Sequence, residues 1–456
     1  MQFLLKATTS RRRFLARSLA ASGLAAVTLR GASSAMETNP KSGALNVKDF
    51  GAIGDGTTLD TVALHKAIDA CAGNGGGTVW FPPGRYLSAT IFLKRRVTLR
   101  LDSGATLLGS RKLEDYPLTL ASTRSYTDSY TERSLIYAEH LEHIGIEGRG
   151  VIDGQGGAFK GPYKVRPYLL RIIGCRDVSV RDVTLKDSAM WVQHYLACEG
   201  VRLDGITVTS KCNANNDGMD IDGCQRVRIA NCDIQSGDDA IALKSTLDRP
   251  CRHVVVTNCI LSSDCNAFKL GTESNGGFEN ILMSNCALYD TRLAGIALEV
   301  VDGGRLDGVS ISHVTMQNVG GPIFIRLGNR GRGFKAEMAG LGICSLRNVS
   351  LSGIQAILAT CASLSIDRVD LHGSAEVVKT NEFLTGIVIS PWLAASNGAA
   401  SRASTRRGSG SEPSDGEPDC GPMGDSQGGS GGRKAKRCRR VAQRAEARGR
   451  DGGLAG

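Results

Sequence analysis

The 456-residue sequence is poor in aromatic residues, which make up 5% of it, and it contains no long hydrophobic run. No apolar stretch approaches the roughly 20 residues that cross a bilayer as a helix, so we expect no membrane insertion. Basic residues concentrate at the two ends of the chain. The net charge of +10 is the sum of +6 over residues 1–35, +5 over residues 401–456 and −1 over residues 36–400. A near-neutral body lacks the basic surface that nucleic-acid binding requires, and we expect no nucleic-acid partner.

The first 35 residues have the pattern of an export signal. Three arginines, Arg11-Arg12-Arg13, stand before Phe14-Leu15, an apolar stretch and a small-residue end at residues 32–35. A charged start, a short apolar middle and small residues at the end are typical of cleaved signals. The paired arginines resemble a twin-arginine signal, with an ordinary secretory signal as the alternative. We therefore expect an exported protein, periplasmic or extracellular.

A strand-forming segment recurs through the middle of the chain. Cys175-Arg-Asp-Val-Ser-Val180 is followed by similar segments beginning at Cys198, Cys224, Cys251 and Phe278, at steps of 23, 26, 27 and 27 residues. Each alternates apolar and polar residues, as a half-buried strand does, and no helical period of comparable length intervenes. Repeats of this length with several short strands indicate a solenoid whose coils bury their inner faces against one another.

The sequence thus predicts an all-β fold, a right-handed single-stranded parallel β-helix. An amphipathic segment at residues 61–71 is expected to form a short N-terminal capping helix. We place the β-helix catalytic domain at residues 36–395. Residues 396–456 are rich in Gly, Ser and Arg, which predicts a disordered tail. The four repeat cysteines are expected to stack as small inward hydrophobes, with disulfides left open by an extracellular location.

One strand of each coil carries the candidate chemistry. Aligning these strands places Asp217 and Asp239 at the same outward position of adjacent coils, with Asp238 beside Asp239. Neighbouring parallel strands lie about 4.8 Å apart, so three carboxylates are expected to crowd together and their pKa values to separate. A site that needs one protonated acid and one ionised base gains from that arrangement. The aligned strands are residues 217–222, 239–244, 266–271, 294–299 and 321–326.

These residues resemble glycoside hydrolase family 28, the polygalacturonases and their relatives. The resemblance rests on Asn215-Asn216-Asp217-Gly218, on Gly237-Asp238-Asp239 that follows, and on the opening stretch at residues 47–56. It implies inverting hydrolysis of a pectic glycosidic bond without a cofactor or metal. By this resemblance Asp238 protonates the leaving oxygen, while Asp217 and Asp239 hold and deprotonate the attacking water, which requires acid and base to be about 6.5–9.5 Å apart.

Two family motifs are replaced in this sequence. Asn266-Ala267 stands nearest the place of a Gly-His-Gly motif, and Ala297-Leu298-Glu299 stands in place of an Arg-Ile-Lys motif that binds the substrate carboxylate. Other cations on the same face could bind a uronate carboxylate instead, and a Trp one coil before Asp217 could stack on a sugar. The candidate substrate-binding residues are Asn215, Trp191, His194, Lys244, Asn266, Lys269, Glu299 and Arg326.

The sequence therefore predicts a monomeric polygalacturonase-like glycosidase that degrades pectin of the plant cell wall, with an acidic polysaccharide or oligosaccharide as its partner. Replacement of the Arg-Ile-Lys motif supports an alternative on the same fold, a hydrolase of rhamnogalacturonan or another uronate glycan. Two alternatives of other classes stay open. The acidic cluster could bind Ca²⁺ in a polysaccharide lyase, or the β-helix could bind carbohydrate without catalysis.

Overall fold

Short parallel strands, each paired with its counterparts one coil before and one coil after, build the fold. The computed structural model describes residues 43–333, 345–357, 365–367 and 387–388. The predicted export signal at 1–35 and the predicted tail at 396–456 lie outside these residues. The architecture is the right-handed parallel β-helix that the repeat predicts, and the strands form three parallel ladders.

The first two ladders form two of the three faces of each coil. The first contains β1 (Leu45–Asn46), β3 (Gly77–Phe81), β6 (Val97–Leu101), β9 (Glu142–Gly148), β12 (Arg176–Arg181), β15 (Glu199–Asp204), β18 (Gln225–Ala230) and β21 (Cys251–Thr257). The second contains β2 (Asp55–Leu59), β4 (Gly84–Ser88), β7 (Ala105–Gly109), β10 (Val151–Asp153), β13 (Thr184–Lys186), β16 (Thr207–Ser210), β19 (Asp233–Ser236) and β22 (Ile260–Ser263).

The third ladder is the one that carries the candidate chemistry. It contains β5 (Ile91–Phe92), β8 (Ser134–Glu139), β11 (Tyr168–Ile173), β14 (Gln193–Leu196), β17 (Met219–Asp222), β20 (Ile241–Ser245) and β23 (Phe268–Ser274). Two long strands, β24 (Phe278–Val300) and β25 (Leu306–Leu327), then bend through all three faces. The last described strands are β26 (Leu346–Ile357), β27 (Ser365–Asp367) and β28 (Ile387–Val388).

A residue in the left-handed backbone conformation turns the chain between the first and second ladders. In successive coils this position is held by Asp182, Gly205, Asn231 and Asn258, with φ of +61°, +65°, +57° and +55°. Gly, Asn and Asp tolerate this conformation better than other residues do. The recurrence of these residues in the sequence is therefore a consequence of the turn.

The interior of the coils is filled by the alternate residues that the repeat predicts. Val178, Val201, Val227 and Val254 pair with one another along the first ladder and are buried. The predicted cysteine stack is confirmed, because Cys175, Cys198, Cys224 and Cys251 are all buried and free. They pack as small apolar side chains and form no disulfides with one another.

The predicted capping helix is also confirmed. Helix α1 spans Thr61–Gly73 and buries one stripe of side chains, including Leu64, Ile68 and Cys71, against the first coil. Ahead of the helix, Asp60 accepts hydrogen bonds from the backbone N–H groups of Ile53 and Gly54. Short 3₁₀ helices lie at Val47–Phe50, Leu113–Asp115, Tyr126–Ser129, Gly156–Ala158 and Tyr163–Val165. In the described part of the chain, no helix has the length and apolar character needed to cross a membrane.

Candidate active site

The register of the third ladder brings the three predicted catalytic residues together. Met219 of β17 pairs with Ile241 of β20, so Asp217 and Asp239, each two residues before its strand begins, occupy equivalent positions of adjacent coils. The N–H of Gly218 donates to the carbonyl oxygen of Asp239 at 2.8 Å, which fixes this alignment. The next coil continues the column with Asn266, whose carbonyl oxygen accepts from the N–H of Ala240. The spacing of the carboxylates is therefore set by the backbone ladder.

Asp239 is surrounded by groups that stabilise a negative charge. Its Oδ1 accepts hydrogen bonds from the side-chain amide of Asn266 at 2.8 Å and from the backbone N–H of Asn266 at 3.2 Å. Its Oδ2 lies 3.1 Å from Nζ of Lys269. An ion pair and two hydrogen bonds therefore fix the position of both carboxylate oxygens. Asn266 thus lies at the site, where it orients a carboxylate.

Asp238 has the opposite environment. Burial, followed by the negative charges of Asp217 and Asp239, raises the pKa of Asp238 well above its ordinary value. Its Oδ1 accepts a hydrogen bond from the N–H of Asp239 at 2.9 Å, and its side chain is the most exposed of the three, at 9% for the residue. Asp238 is therefore a carboxyl group that stays protonated to higher pH than usual and still reaches the surface of the coil.

Asp217 lies deeper, with 2% of the residue exposed. Burial and the charge of Asp220 raise the pKa of Asp217 well above its ordinary value, while Lys244 acts against them. Nζ of Lys244 lies 3.7 Å from Oδ2 of Asp217 and 3.5 Å from Oδ1 of Asp220. The site thus holds two carboxyl groups in adjacent coils, Asp217 and Asp238, whose pKa values burial raises.

Lys244 lies among acidic residues and is only 4% exposed. Besides the two aspartates, its Nζ approaches Oε2 of Glu273 at 3.2 Å and lies 4.6 Å from the centre of the Trp191 ring. Burial alone would lower the pKa of Lys244, but the carboxylates of Glu273, Asp220 and Asp217 outweigh it and the pKa is raised well above its ordinary value. The predicted uronate-binding role of Lys244 is therefore opposed by partners that already surround its charge.

Trp191 and His194 do not form the exposed sugar platform that the sequence suggested. Trp191 is 4% exposed and packs edge-on against Tyr130, and His194 is completely buried. Nε2 of His194 lies 3.3 Å from Oδ2 of Asp222, and burial lowers the pKa of this imidazole. The expectation of a direct sugar contact is wrong for His194, because its ring is completely buried and packs edge-on against Trp191.

Sequence reasoning selected Asn215 and missed its neighbour Asn216. The amide of Asn216 donates to the carbonyl oxygens of Ser188 and Met190 at 2.9 and 3.0 Å, and its Oδ1 accepts from the N–H of Asn213 at 3.0 Å. Asn215 instead accepts a hydrogen bond from the guanidinium of Arg166 at 2.9 Å. The fully buried Asn216 therefore anchors the loop that precedes Asp217. Its burial identifies this role, and the spacing of residues in the sequence does not reveal burial.

Lys269, Glu299 and Arg326 lie on the C-terminal side of the three candidate aspartates. Nζ of Lys269, besides its pair with Asp239, lies 3.9 Å from Oε1 of Glu299. Glu299 pairs in register with Arg326, whose side chain is exposed. Glu299, which stands in place of the expected Arg-Ile-Lys motif, thus places a carboxylate beside the site.

Oxygens of Asp238 and Asp239 and the sulfur of Cys265 lie within 4.8 Å of one another, as the ligands of a metal ion do. Cys265 is disulfide-bonded, so its sulfur is not a thiolate, and Asp239 already pairs with Lys269. These donors do not fit a metal site, since a metal ion needs deprotonated ligands.

Curated proteins similar to this chain include polygalacturonases. A probable polygalacturonase of Vitis vinifera is 33% identical over 215 residues, 44% of this chain and 44% of the relative. The exo-poly-alpha-D-galacturonosidase of Dickeya chrysanthemi is 40% identical over 120 residues, 25% of this chain and 19% of the relative. The chain thus spans less than half the length of these curated relatives.

The solved structures give the same fold. A hyperthermoactive exopolygalacturonase from Thermotoga maritima superposes with a TM-score of 0.58 at 23% identity, over 69% of this chain and 81% of that one. The sequence also matches the family described as "Glycosyl hydrolases family 28" over residues 93–382, a range that contains every candidate site residue. The chain belongs to glycosyl hydrolase family 28.

Proposed function

We propose that this protein hydrolyses glycosidic bonds of pectic, galacturonate-containing polysaccharide by a single displacement with inversion. The observation that carries the proposal is the difference between the surroundings of Asp238 and those of Asp239. Burial raises the pKa of Asp238 well above its ordinary value, whereas Asp239 lies 3.1 Å from Nζ of Lys269 and accepts a hydrogen bond from the side-chain amide of Asn266. The reaction requires a carboxyl group that donates a proton and a carboxylate that accepts one, with room for a water molecule between them.

In the proposed reaction, Asp238 transfers its proton to the glycosidic oxygen as the bond from that oxygen to the anomeric carbon breaks. A water molecule held by Asp217 and Asp239 attacks the anomeric carbon from the opposite face and passes its proton to this pair of carboxylates. The products are two sugar hydroxyls, and one water is consumed. The reaction uses no cofactor.

Location and assembly are part of the same proposal. Residues 1–35 would direct export, by the twin-arginine pattern, to the periplasm or the extracellular space, where pectin of plant cell walls is degraded. Residues 36–395 would form the catalytic domain, acting as a monomer, with residues 396–456 as a tail outside it. An acidic polysaccharide or oligosaccharide is the substrate partner.

A second candidate, a hydrolase of rhamnogalacturonan or another mixed uronate glycan, is favoured by Glu299. A carboxylate beside Lys269 and Asp239 repels a uronate and accepts hydrogen bonds from sugar hydroxyls. The site then has a preference for a sugar without a carboxyl group on this side of the aspartates. The lyase alternative is disfavoured by Lys244 and Lys269, which neutralise the acidic cluster that Ca²⁺ would need.

The test is incubation of the purified protein with defined oligosaccharides of homogalacturonan and rhamnogalacturonan, followed by NMR of the fresh product. The proposal expects a new reducing end with inverted anomeric configuration and activity that survives EDTA. Retained configuration would contradict the single displacement, and an unsaturated product absorbing in the ultraviolet would identify a lyase. Binding without cleavage of any oligosaccharide would identify a non-catalytic β-helix.

A further inference from the structure

Lys244 and Asp220 form a buried pair on adjacent coils that the proposed reaction does not use. Asp220 is completely buried, and Nζ of Lys244, at 3.5 Å, is the cation that faces its Oδ1. The same Nζ lies 3.7 Å from Asp217. Because Asp222 pairs in register with Lys244, the backbone ladder determines where the lysine side chain leaves the strand.

The two members of the pair act on Asp217 with opposite sign. Lys244 stabilises a negative charge on Asp217, and Asp220 opposes it once Asp220 is ionised, which burial shifts to higher pH by raising the pKa of Asp220. Interactions between charges are strong here because the groups are nearly inaccessible to water. The other charged or titratable groups around Asp217 and Lys244 are Asp238, Asp239, Lys269, Glu273 and His194.

A direct substrate contact does not account for this arrangement. The Lys244 side chain is 6% exposed, and its Nζ is enclosed by three carboxylates and the ring of Trp191. A uronate carboxylate would have to displace one of these acids to reach it. The geometry instead suits a residue that acts on its neighbours.

We propose that Lys244 and Asp220 are positioning residues that set the protonation of Asp217, with Lys244 favouring and Asp220 opposing the charged form that holds the attacking water. This inference rests on the proposed hydrolase function. It makes the acidic limit of activity depend on two groups that never contact the sugar.

The experiment measures kcat/KM against pH for Lys244→Met, Asp220→Asn and the double variant, with a pectic oligosaccharide that the wild-type protein cleaves. Lys244→Met should move the acidic limb to higher pH, with a loss of about tenfold on the acidic side of the optimum. Asp220→Asn should move the limb to lower pH, and the double variant should fall between the two. Lys244→Arg keeps the charge and should keep the limb near its wild-type position.

Exposed Lys186, which pairs with Asp153 and Asp187 on the outside of the coils, provides the matched control. Lys186→Met should leave the pH profile unchanged. The inference is overturned if Lys244→Met raises KM without moving the acidic limb, because that result identifies a substrate contact. It is also overturned if both single variants move the limb in the same direction.

Thermal unfolding separates this inference from the proposed function. If the wild-type protein cleaves no oligosaccharide, the hydrolase proposal fails, but the charge pair is still measurable. Lys244→Met leaves buried carboxylates without their cation, so its loss of thermal stability should grow from pH 4 to pH 8 and should shrink when Asp220→Asn is added. A loss that is the same at every pH, or that Asp220→Asn does not reduce, would refute the pairing.

Discussion

Replacement of Asp238 by Asn tests the general acid with little change to the fold. The Oδ1 atom of Asp238 accepts one hydrogen bond, from the N–H of Asp239, and an Asn oxygen can accept the same bond. The backbone carbonyl of Asp238 accepts from the hydroxyls of Ser236 and Ser263, and these bonds do not involve the side chain. The substitution therefore removes the transferable proton and leaves the local hydrogen bonds in place.

The expected loss is that of a general acid. Such a group contributes about 10²- to 10⁴-fold to the rate, which corresponds to about 3–5 kcal/mol of the barrier. The basic limb of the pH profile, which requires protonated Asp238, should disappear from the residual activity. Burial and nearby charge raise the pKa of Asp238, so in the wild-type protein this limb lies at higher pH than an ordinary carboxyl group would give.

The assay compares kcat for a natural oligosaccharide and for an aryl glycoside whose leaving group needs no proton. Asp238→Asn should lose much less activity on the aryl glycoside. Asp264→Asn is the matched control, since Asp264 is half exposed and pairs with Lys211. Equal losses on both substrates, or unchanged hydrolysis of the natural oligosaccharide, would refute the assignment of Asp238 as the acid.

Three further predictions concern the support of the site. A Cβ on Gly218 would lie 2.5 Å from the carbonyl oxygen of Ala240, so Gly218→Ala should cost about 1–3 kcal/mol of unfolding free energy in urea and reduce activity. Gly321→Ala, with nothing within 4 Å of its Cβ, should change neither, and equal effects would contradict the steric argument. Asn216→Ala leaves three backbone groups without their partner and should cost about 3 kcal/mol in the same measurement; a cost under about 1 kcal/mol would show that water replaces the amide. Because burial raises the pKa of Asp217, the native state binds more protons than the unfolded chain and loses stability as pH rises. Asp217→Asn should therefore gain melting temperature relative to the wild type between pH 4 and pH 8 while losing activity, and a difference independent of pH would contradict this.

The sequence contained enough to predict the fold and the face of the coil on which the candidate catalytic residues lie. A step of 22 residues between Asp217 and Asp239 implies equivalent positions on adjacent coils, and period-two alternation separates inward Met219 and Ile221 from outward Asp220. Both inferences depend only on the backbone geometry of parallel strands. The structure confirms the register that they require.

The burial of individual side chains at the site could not be predicted in the same way. Alternation places His194 and Lys244 on the outer face, but long-range packing buries them under Tyr168 and Trp191 and beside Glu273. These contacts join residues on different coils and loops, and their side chains are not related by the repeat. The roles expected for His194 and Lys244 therefore changed once the neighbours were known.

The contacts of the loops that pack on the third ladder also could not be predicted from the repeat. Lys160 donates to the carbonyl oxygen of Cys212, and Arg166 donates to Asn215 and to the carbonyl oxygen of Ala214. These bonds link residues about 50 positions apart, across two coils. A repeat predicts which residues stack on one another in successive coils, but it does not predict irregular contacts such as these between loops.

The backbone alignment of Asp217 and Asp239 has a consequence for how this site tolerates change over evolution. The separation of the two residues is inherited from interstrand hydrogen bonding, a dimension that every parallel sheet shares, so drift in the apolar interior alters it little. Insertions in the connecting loops can reshape the surface that contacts a polymer without moving Asp217 and Asp239 relative to each other. Inserting a whole coil between them would instead separate the pair in one event, so new substrate preferences in such a scaffold should arise mainly by loop remodelling.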